Sequence, residues 1–350
     1  MNLLQYSPWS LSGTVHLMAN QMLSQCPIMG RFFTRHVGQD AINVSWDVVT
    51  GTASIMRGLR VHSPGQIGAQ VNEKTISARL PKFHEIRPVE IDGLLTQRRL
   101  GDQSRGSRRA KGKITLEQKD LVAKYVRTLK YMGAQSLKGS ITLVNEHGNE
   151  FILAEWDLPA ANKPDRYTGE QAWTHDESDP KQDVTNLKVV IQQSTRKDPE
   201  KWCLLAGTGV INALQKNKSL KGDGKRLTNK QVAEQLEIDE VVHYPDTYLS
   251  EDGSTWTELV GSDEFVLVGY SPEFYSVLYL YLNDILETAG AMAGDMDAKM
   301  KNSDVDKLIV ASECYLRRNP RIAEVSLESY AMPVCHAPGS TAFVKPIAAK

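Results

Sequence analysis

The sequence predicts an α+β protein in which two discontinuous domains share a sheet. Three observations carry this expectation. One strongly amphipathic stretch, "ITLEQKDLVAKYVRTLKYMGAQSLKG", runs straight into a pair of alternating strands. Residues 183–270 then alternate helix-like and strand-like patterns, as an α/β layer does. At the end of the chain, "IAEVSLESYAMPVC" with "TAFVKPI" alternates again and should close a sheet.

In chain order, residues 1–38 have mixed polarity with apolar clusters "HLMANQML" and "IMGRFF", and are expected to form a partly ordered arm. "INVSWDV" at 42–48 alternates and is rich in β-branched and aromatic residues, which predicts a strand. "ASIMRGLRVHSPGQIGAQVNEKTISARL" predicts a strand, a Pro-Gly loop at Ser63–Gly68 and a returning strand ending near Leu80. Leu80 and Arg87 each precede a proline and are pushed away from helical angles, so 78–102 should continue extended. A lone two-stranded excursion is marginal in water. Residues 42–95 therefore need another surface to lie on.

"QSRGSRRAKGK" at 103–113 is expected as a flexible basic linker. The long helix should follow it, with Thr115 and Gln118 as a capping box and Gly139 as its C-terminal stop. Leu121, Val122, Tyr125, Leu129 and Met132 share one face at helical spacing. "SITLVNEHGNEFILAEWDL" predicts a hairpin turning at His147-Gly148-Asn149. After a polar stretch at 159–182 come a helix in "DVTNLKVVIQQSTR" and a strand turning into a helix in "KWCLLAGTGVINALQKN". A helix and strand in "TNKQVAEQLEIDEVVHY" follow, then two short strands in "SEDGSTWTELVGSDEFVLVGYS". Residues 271–309 carry no clear pattern.

The 350 residues suffice for two or three domains with a sizeable core, and 41% hydrophobic with 24% charged residues is ordinary for a globular chain. The formal net charge of −1 argues neither for global nucleic-acid binding nor for disorder. Charge is nevertheless segregated. Arg98, Arg99, Arg105, Arg108, Arg109, Lys111 and Lys113 face one acid, Asp102, a local +6. Nine acids and no Lys or Arg lie between Glu237 and Glu264. Such separation suits surfaces that attract copies of themselves, or else two unrelated solvated faces. The basic segment has three open uses: non-specific phosphate contact without aromatic residues for stacking, salt bridging between subunits, or plain solvation.

Cys26, Cys203, Cys314 and Cys335 form no Cys-x-x-Cys pair, so neither a disulfide framework nor a zinc site is expected. The N-terminus lacks the basic and apolar regions of a signal peptide, and no uninterrupted apolar run is long enough to span a bilayer, so no membrane partner is expected. "LLAGTGVINAL" at 204–214 is a strand-to-helix turn of the kind that cradles a phosphate, yet it lacks the third glycine of a dinucleotide fingerprint and the Gly-Lys-Ser/Thr of a P-loop. "DMDAKMKNSDVD" resembles a calcium loop only in its acids. His84, His147 and His175 stand alone. No catalytic residue, cofactor or metal is expected.

The wording and order of the segments resemble the major capsid proteins of tailed bacteriophages, the lambda-type major capsid protein E family with the Hong Kong 97 fold. "SWDVVTGTASIMRGLRVHSPGQIGAQVNEKTISARLPKFHEIRPVEIDGLLTQRRLGD" resembles that family's extended E-loop, and "KDLVAKYVRTLKYMGAQSLKGSITLVNEHG" its spine helix running into the hairpin of the peripheral (P) domain. "DPKQDVTNLKVVI" and "GSDEFVLVGYS" resemble the opening helix and a late strand of the axial (A) domain, and "NPRIAEVSLESYAMPVCHAPGSTAFV" the closing P-domain strand. The resemblance implies an N-terminal arm at 1–41, an E-loop at 42–102, a P domain at 103–182 with its spine helix at 114–138, an A domain at 183–315 and closing P-domain strands at 316–350. It implies a shell protein, not an enzyme, that self-assembles into hexamers and pentamers of an icosahedral shell around the DNA genome. Portal, scaffolding and decoration proteins are its expected partners, packaged double-stranded DNA a non-specific one, the virion its place and the host cytoplasm its site of assembly. Inter-subunit contact is expected at the E-loop tip, Ser63, Pro64, Gly65, Gln66, Ile67 and Gly68. Electrostatic contact with subunits or nucleic acid is expected at the seven basic residues. An encapsulin-like shell around protein cargo and, more remotely, an α/β phosphate-binding enzyme are the competing readings.

Overall fold

The structure, a computed structural model, describes residues 8–49, 73–90, 103–144, 148–220, 226–249, 254–281, 310–318 and 321–347. The chain divides into two compact units. One comprises Met1–Val44, Arg79–Lys130 and Val277–Pro333, the other Ser45–Ala78, Tyr131–Ser276 and Val334–Lys350.

In the first unit the N-terminal region is more ordered than expected of an arm. Helix α1 (Pro8–Ser24) buries Val15, Ala19 and Leu23, spaced four apart, and the turns after it bury Cys26, Ile28, Met29, Phe32 and Phe33. The stripe is blurred in the sequence because Leu17 and Met22 lie on the exposed side. The sheet of this unit is built on β14 (Arg321–Cys335), which pairs antiparallel with β13 (Val310–Arg318) and with β4 (Lys82–Glu90). Strand β12 (Tyr275–Leu280) also joins β14 and pairs parallel with β1 (His36–Gln39). α1 packs on β13.

Two of these strands change the sequence picture. β12, "YSVLYL", falls in the stretch that carried no pattern; all six of its residues are buried, so it shows no alternation. β4 lies inside the segment expected to need another surface, and it finds that surface in its own chain: Lys82 faces Tyr330 and Glu90 faces Ile322. Its prolines fit this role. Pro81 lies between β3 (Glu73–Arg79) and β4, and Pro88 sits in a strand paired on one side only among the described residues, where a missing N–H is tolerated.

Helix α2 (Gln103–Lys138) is one continuous helix. The stretch 103–113 is therefore its first three turns and not a linker, and Thr115 lies within the helix instead of capping it. Arg, Lys, Gln and Ala are good helix formers; two glycines and the lack of apolar residues hid the helix from a periodicity argument. The predicted face is buried as expected, with Leu121, Val122, Tyr125, Leu129 and Met132 all at most 4% exposed. Gly139 ends the helix at φ +101°, where its N–H donates to the Ser136 carbonyl. Within the first unit, Gln118 Nε2 donates to Ser312 Oγ at 3.3 Å and Ser329 Oγ to Tyr125 OH at 2.9 Å, fixing α2 on the sheet.

The second unit holds a four-stranded sheet in the order β15–β11–β7–β8. β7 (Lys201–Ala206) pairs antiparallel with β11 (Phe265–Tyr270) and parallel with β8 (Glu240–His243), and β15 (Thr341–Val344) closes the far side of β11. Helices α3 (Pro180–Thr195), α4 (Thr208–Lys216) and α5 (Asn229–Gln235) cover its core. Their ends carry local signals. Asp179 accepts from the N–H groups of Lys181 and Gln182, both at 3.1 Å, and Thr228 with Gln231 forms a capping box. Trp173 stacks on Phe265 at 4.8 Å and donates its indole N–H to Asp183. The predicted hairpin is present as β5 (Ser140–Val144) and β6 (Glu150–Glu155). β2 (Asn43–Val49) pairs with β3 as the base of the expected excursion. Trp46 of β2 lies 6.2 Å from Trp156, and Lys74 of β3 pairs with Asp157.

Candidate inter-subunit surfaces

The expected E-loop tip, Ser63–Gly68, and the arginine pair Arg98 and Arg99 lie outside the described residues. Arg105, Arg108, Arg109, Lys111 and Lys113 all fall on α2, near its N-terminal end. The first turn of α2 contains no acid. Lys113 is exposed.

Lys82, Glu85 and Arg87 of β4 form ion pairs within the first unit. Glu85 accepts from Lys124 and from Arg87 Nε at 3.3 Å. Arg87 also lies 3.4 Å from Glu117 and 3.9 Å from Asp120, and Lys82 pairs with Glu328 at 2.9 Å. These charges hold β4 on its own helix and sheet.

The acidic segment Glu237–Glu264 is also partly used at home. Glu237 pairs with Lys181, Asp263 with Arg166, and the Asp239 carboxylate accepts from the Trp202 N–H at 2.7 Å. Glu264 is the most enclosed of these carboxylates. It accepts from Lys138 at 2.8 Å and from Lys345 at 3.0 Å, with its side chain 13% exposed. Burial alone pushes the Glu264 carboxyl up; the two ammonium groups more than reverse this and hold it below the usual carboxylate range.

The turn at Gly207-Thr208-Gly209 is filled by protein. Gly207 N–H donates to the Glu264 carbonyl at 3.0 Å, Gly209 N–H to Ser262 Oγ at 3.2 Å, and Val210 N–H to the Ser262 carbonyl at 3.1 Å. A Cβ on Gly207 would lie 2.0 Å from the Gly261 carbonyl oxygen. Those glycines serve close backbone approach, and the N–H groups of Gly207, Gly209 and Val210 are occupied by protein acceptors.

Among the described residues no group of His, Cys, Asp or Glu is arranged to hold a metal, and no helix is long and apolar enough to cross a membrane. The Cys335 thiol is pushed up to about 12 by burial, and burial also raises the phenols of Tyr125, Tyr275 and Tyr279, which makes these groups core residues and not reagents.

Sequence reasoning missed the exposed apolar side chains. Trp256 is 66% exposed on β10 (Trp256–Glu258), directly across from Leu249 on β9 (Thr247–Leu249). Leu116 on α2 is 56% exposed, and Phe151 and Ile152 are exposed on β6. Only for Trp256 was there a sequence signal: a large aromatic in a polar stretch dense in acids.

The profile of phage major capsid protein E matches residues 25–345. No curated protein sequence matches the chain. The putative capsid protein of a prophage from Escherichia coli CFT073 superposes with a TM-score of 0.62 at 13% identity, covering 96% of this chain and 99% of that one. A phage-related protein from Bordetella bronchiseptica RB50 gives 0.54 at 13% identity, covering 95% and 96%. The virus-like particle protein from Pyrococcus furiosus gives 0.50 at 9% identity, covering 97% and 100%. The fold is that of the Hong Kong 97-type capsid proteins, and family and fold are those of a structural shell protein of tailed phage, not of an enzyme. With a match running from residue 25 to residue 345, the chain belongs to the phage major capsid protein E family.

Proposed function

We propose that this shell protein assembles through hexamers and pentamers into an icosahedral phage head, that the head encloses double-stranded DNA, and that assembly takes place in the host cytoplasm with portal, scaffolding and decoration proteins. The family match over residues 25–345 carries this reading. In it, residues 42–102 supply the E-loop, whose tip at Ser63–Gly68 reaches a neighbouring subunit, and the basic residues from Arg98 to Lys113 meet a neighbour or the packaged nucleic acid. Head-to-tail packing of unlike patches closes such rings. The phosphate-binding enzyme reading loses its support because Ser262 and Glu264 occupy the turn at Gly207.

The test is to express the full chain alone and with its scaffolding protein, then to separate it by size and image it. Megadalton shells that package DNA during infection are the expected result. Small oligomers without shells under both conditions would overturn the reading, and shells that hold protein cargo and exclude nucleic acid would favour the encapsulin-like alternative.

A further inference from the structure

We propose that the β9–β10 hairpin of one subunit docks on the Leu116 face of α2 in a neighbouring copy, with Trp256 over Leu116 and Glu258 against one of the two lysines that flank it, Lys113 or Lys119. This rests on the shell reading above and adds to it the identity of two contacting surfaces.

The hairpin is seated by one face and offers the other. Tyr248 on β9 turns its ring to Tyr131, 5.0 Å away. Side chains alternate along a strand, so the opposite face carries Leu249 and Thr247 with their cross-strand partners Trp256 and Glu258. Trp256 and Leu249 are 66% and 43% exposed, and Glu258 forms no ion pair among the described residues. An exposed tryptophan beside a leucine, with a carboxylate on the same face, has the composition of an interface centre with its polar rim.

The α2 surface is its complement. Leu116 is 56% exposed, and Gly112, one turn earlier, has nothing within 4 Å of where a Cβ would stand. Lys113 and Lys119 flank Leu116 at three residues on either side; both are exposed and neither forms an ion pair among the described residues. Neighbouring helix positions lie about 5–6 Å apart, and residues two apart on a strand about 6–7 Å, so one apolar contact and one charge contact can form together. Two hairpins facing each other would instead set carboxylate against carboxylate. The wider charge follows the same sense, with nine acids and no base from Glu237 to Glu264 and a +6 segment from Arg98 to Lys113. The pairing is of unlike patches, so it can repeat from copy to copy and closes into a ring where the rotation allows.

Two variants, Trp256→Cys and Leu116→Cys, each made in a full chain that also carries Cys314→Ser, test this when co-assembled and oxidised. Both positions are exposed, so neither substitution removes core packing, and Cys26, Cys203 and Cys335 are buried. Disulfide-linked dimers in the mixture, with neither variant alone giving them, are expected. Trp256→Cys cross-linking to itself, or wild-type shells that form while the mixture gives no dimer, would overturn this inference and leave the shell reading intact. A wild-type chain that forms no shells removes both. As a second measurement, Glu258→Lys should raise the concentration needed for half-assembly about tenfold, and Lys113→Glu with Lys119→Glu in the same chain should restore it. Failure of that rescue overturns the proposed pairing.

Discussion

The carboxylate of Glu264 ties together three elements of the second unit, and Glu264→Gln isolates what its charge contributes. The carboxylate receives Lys138, near the end of α2, and Lys345, just past β15, while its own backbone carbonyl accepts from Gly207. Both ammonium groups also lie over the Phe343 ring, at 5.2 and 5.9 Å. At an effective dielectric of about 20 each pair is worth about 4 kcal/mol before desolvation. Removing one partner of a well-buried set costs about 3–5 kcal/mol. Lys138 and Lys345 are 25% and 37% exposed and regain solvent in the variant. Glutamine also keeps one acceptor oxygen, so the expected cost is about 2–3 kcal/mol. For a unit of this size that is a fall in Tm of about 5–10 °C, measured by near-UV circular dichroism on unassembled subunits at pH 7. The pH dependence has a fixed sign. The carboxyl of folded Glu264 is held below its unfolded value, so its contribution is complete above about pH 4.3 and is lost as the pH falls through the folded value. The gap between wild type and variant should therefore narrow in acid. Equal Tm values at pH 7, or a gap that widens as the pH falls, would refute the reasoning.

Gly207→Ala puts a Cβ 2.0 Å from the Gly261 carbonyl oxygen and 2.8 Å from Ser262 Cα, both backbone that cannot swing aside. It should cost about 3 kcal/mol or more, and an unchanged melting curve would break the packing account of that turn. Gly112→Ala acts in the other sense: with open space at the Cβ and a helical backbone, it should stabilise α2 by about 0.5–1 kcal/mol, seen as a higher urea midpoint. Deleting Ser63–Gly68 should leave a folded subunit that assembles poorly, and normal shells from that variant would remove the proposed role of the loop tip. Reversing Arg98 and Arg99 to glutamate should disturb ring formation with little change in far-UV circular dichroism; global unfolding would instead assign them to the core fold.

What could be read from the sequence divides by range. Local signals were mostly sound: the α2 face, the Gly139 stop and the β5–β6 hairpin each depend on residues within a few positions of one another, whereas the Thr115–Gln118 capping box failed because the helix begins three turns earlier. The start of α2 was hidden because Gly106 and Gly112 outweigh good helix formers when no apolar residue marks a face. β12 was hidden for the opposite reason, since a fully buried strand has no polar phase to alternate with. Nothing local could show that Lys82 faces Tyr330, because the partner is chosen by the finished sheet. The exposed Trp256 was visible as a residue, but its exposure follows from Tyr248 taking the other face of the hairpin to meet Tyr131.

The pairing of β4 with β14 also sets a clock. Glu90 leaves the ribosome long before its partner Ile322 is made. At about 5–20 residues per second, roughly 10–50 s of synthesis separate the two. Until then the sheet of the first unit lacks its central strand, and the early segments of the chain must wait uncommitted. A nascent polypeptide of this kind presents no finished edge to its fellows on the same messenger RNA. The sheet that β14 completes is thereby reserved, by topology alone, for chains whose synthesis is nearly finished.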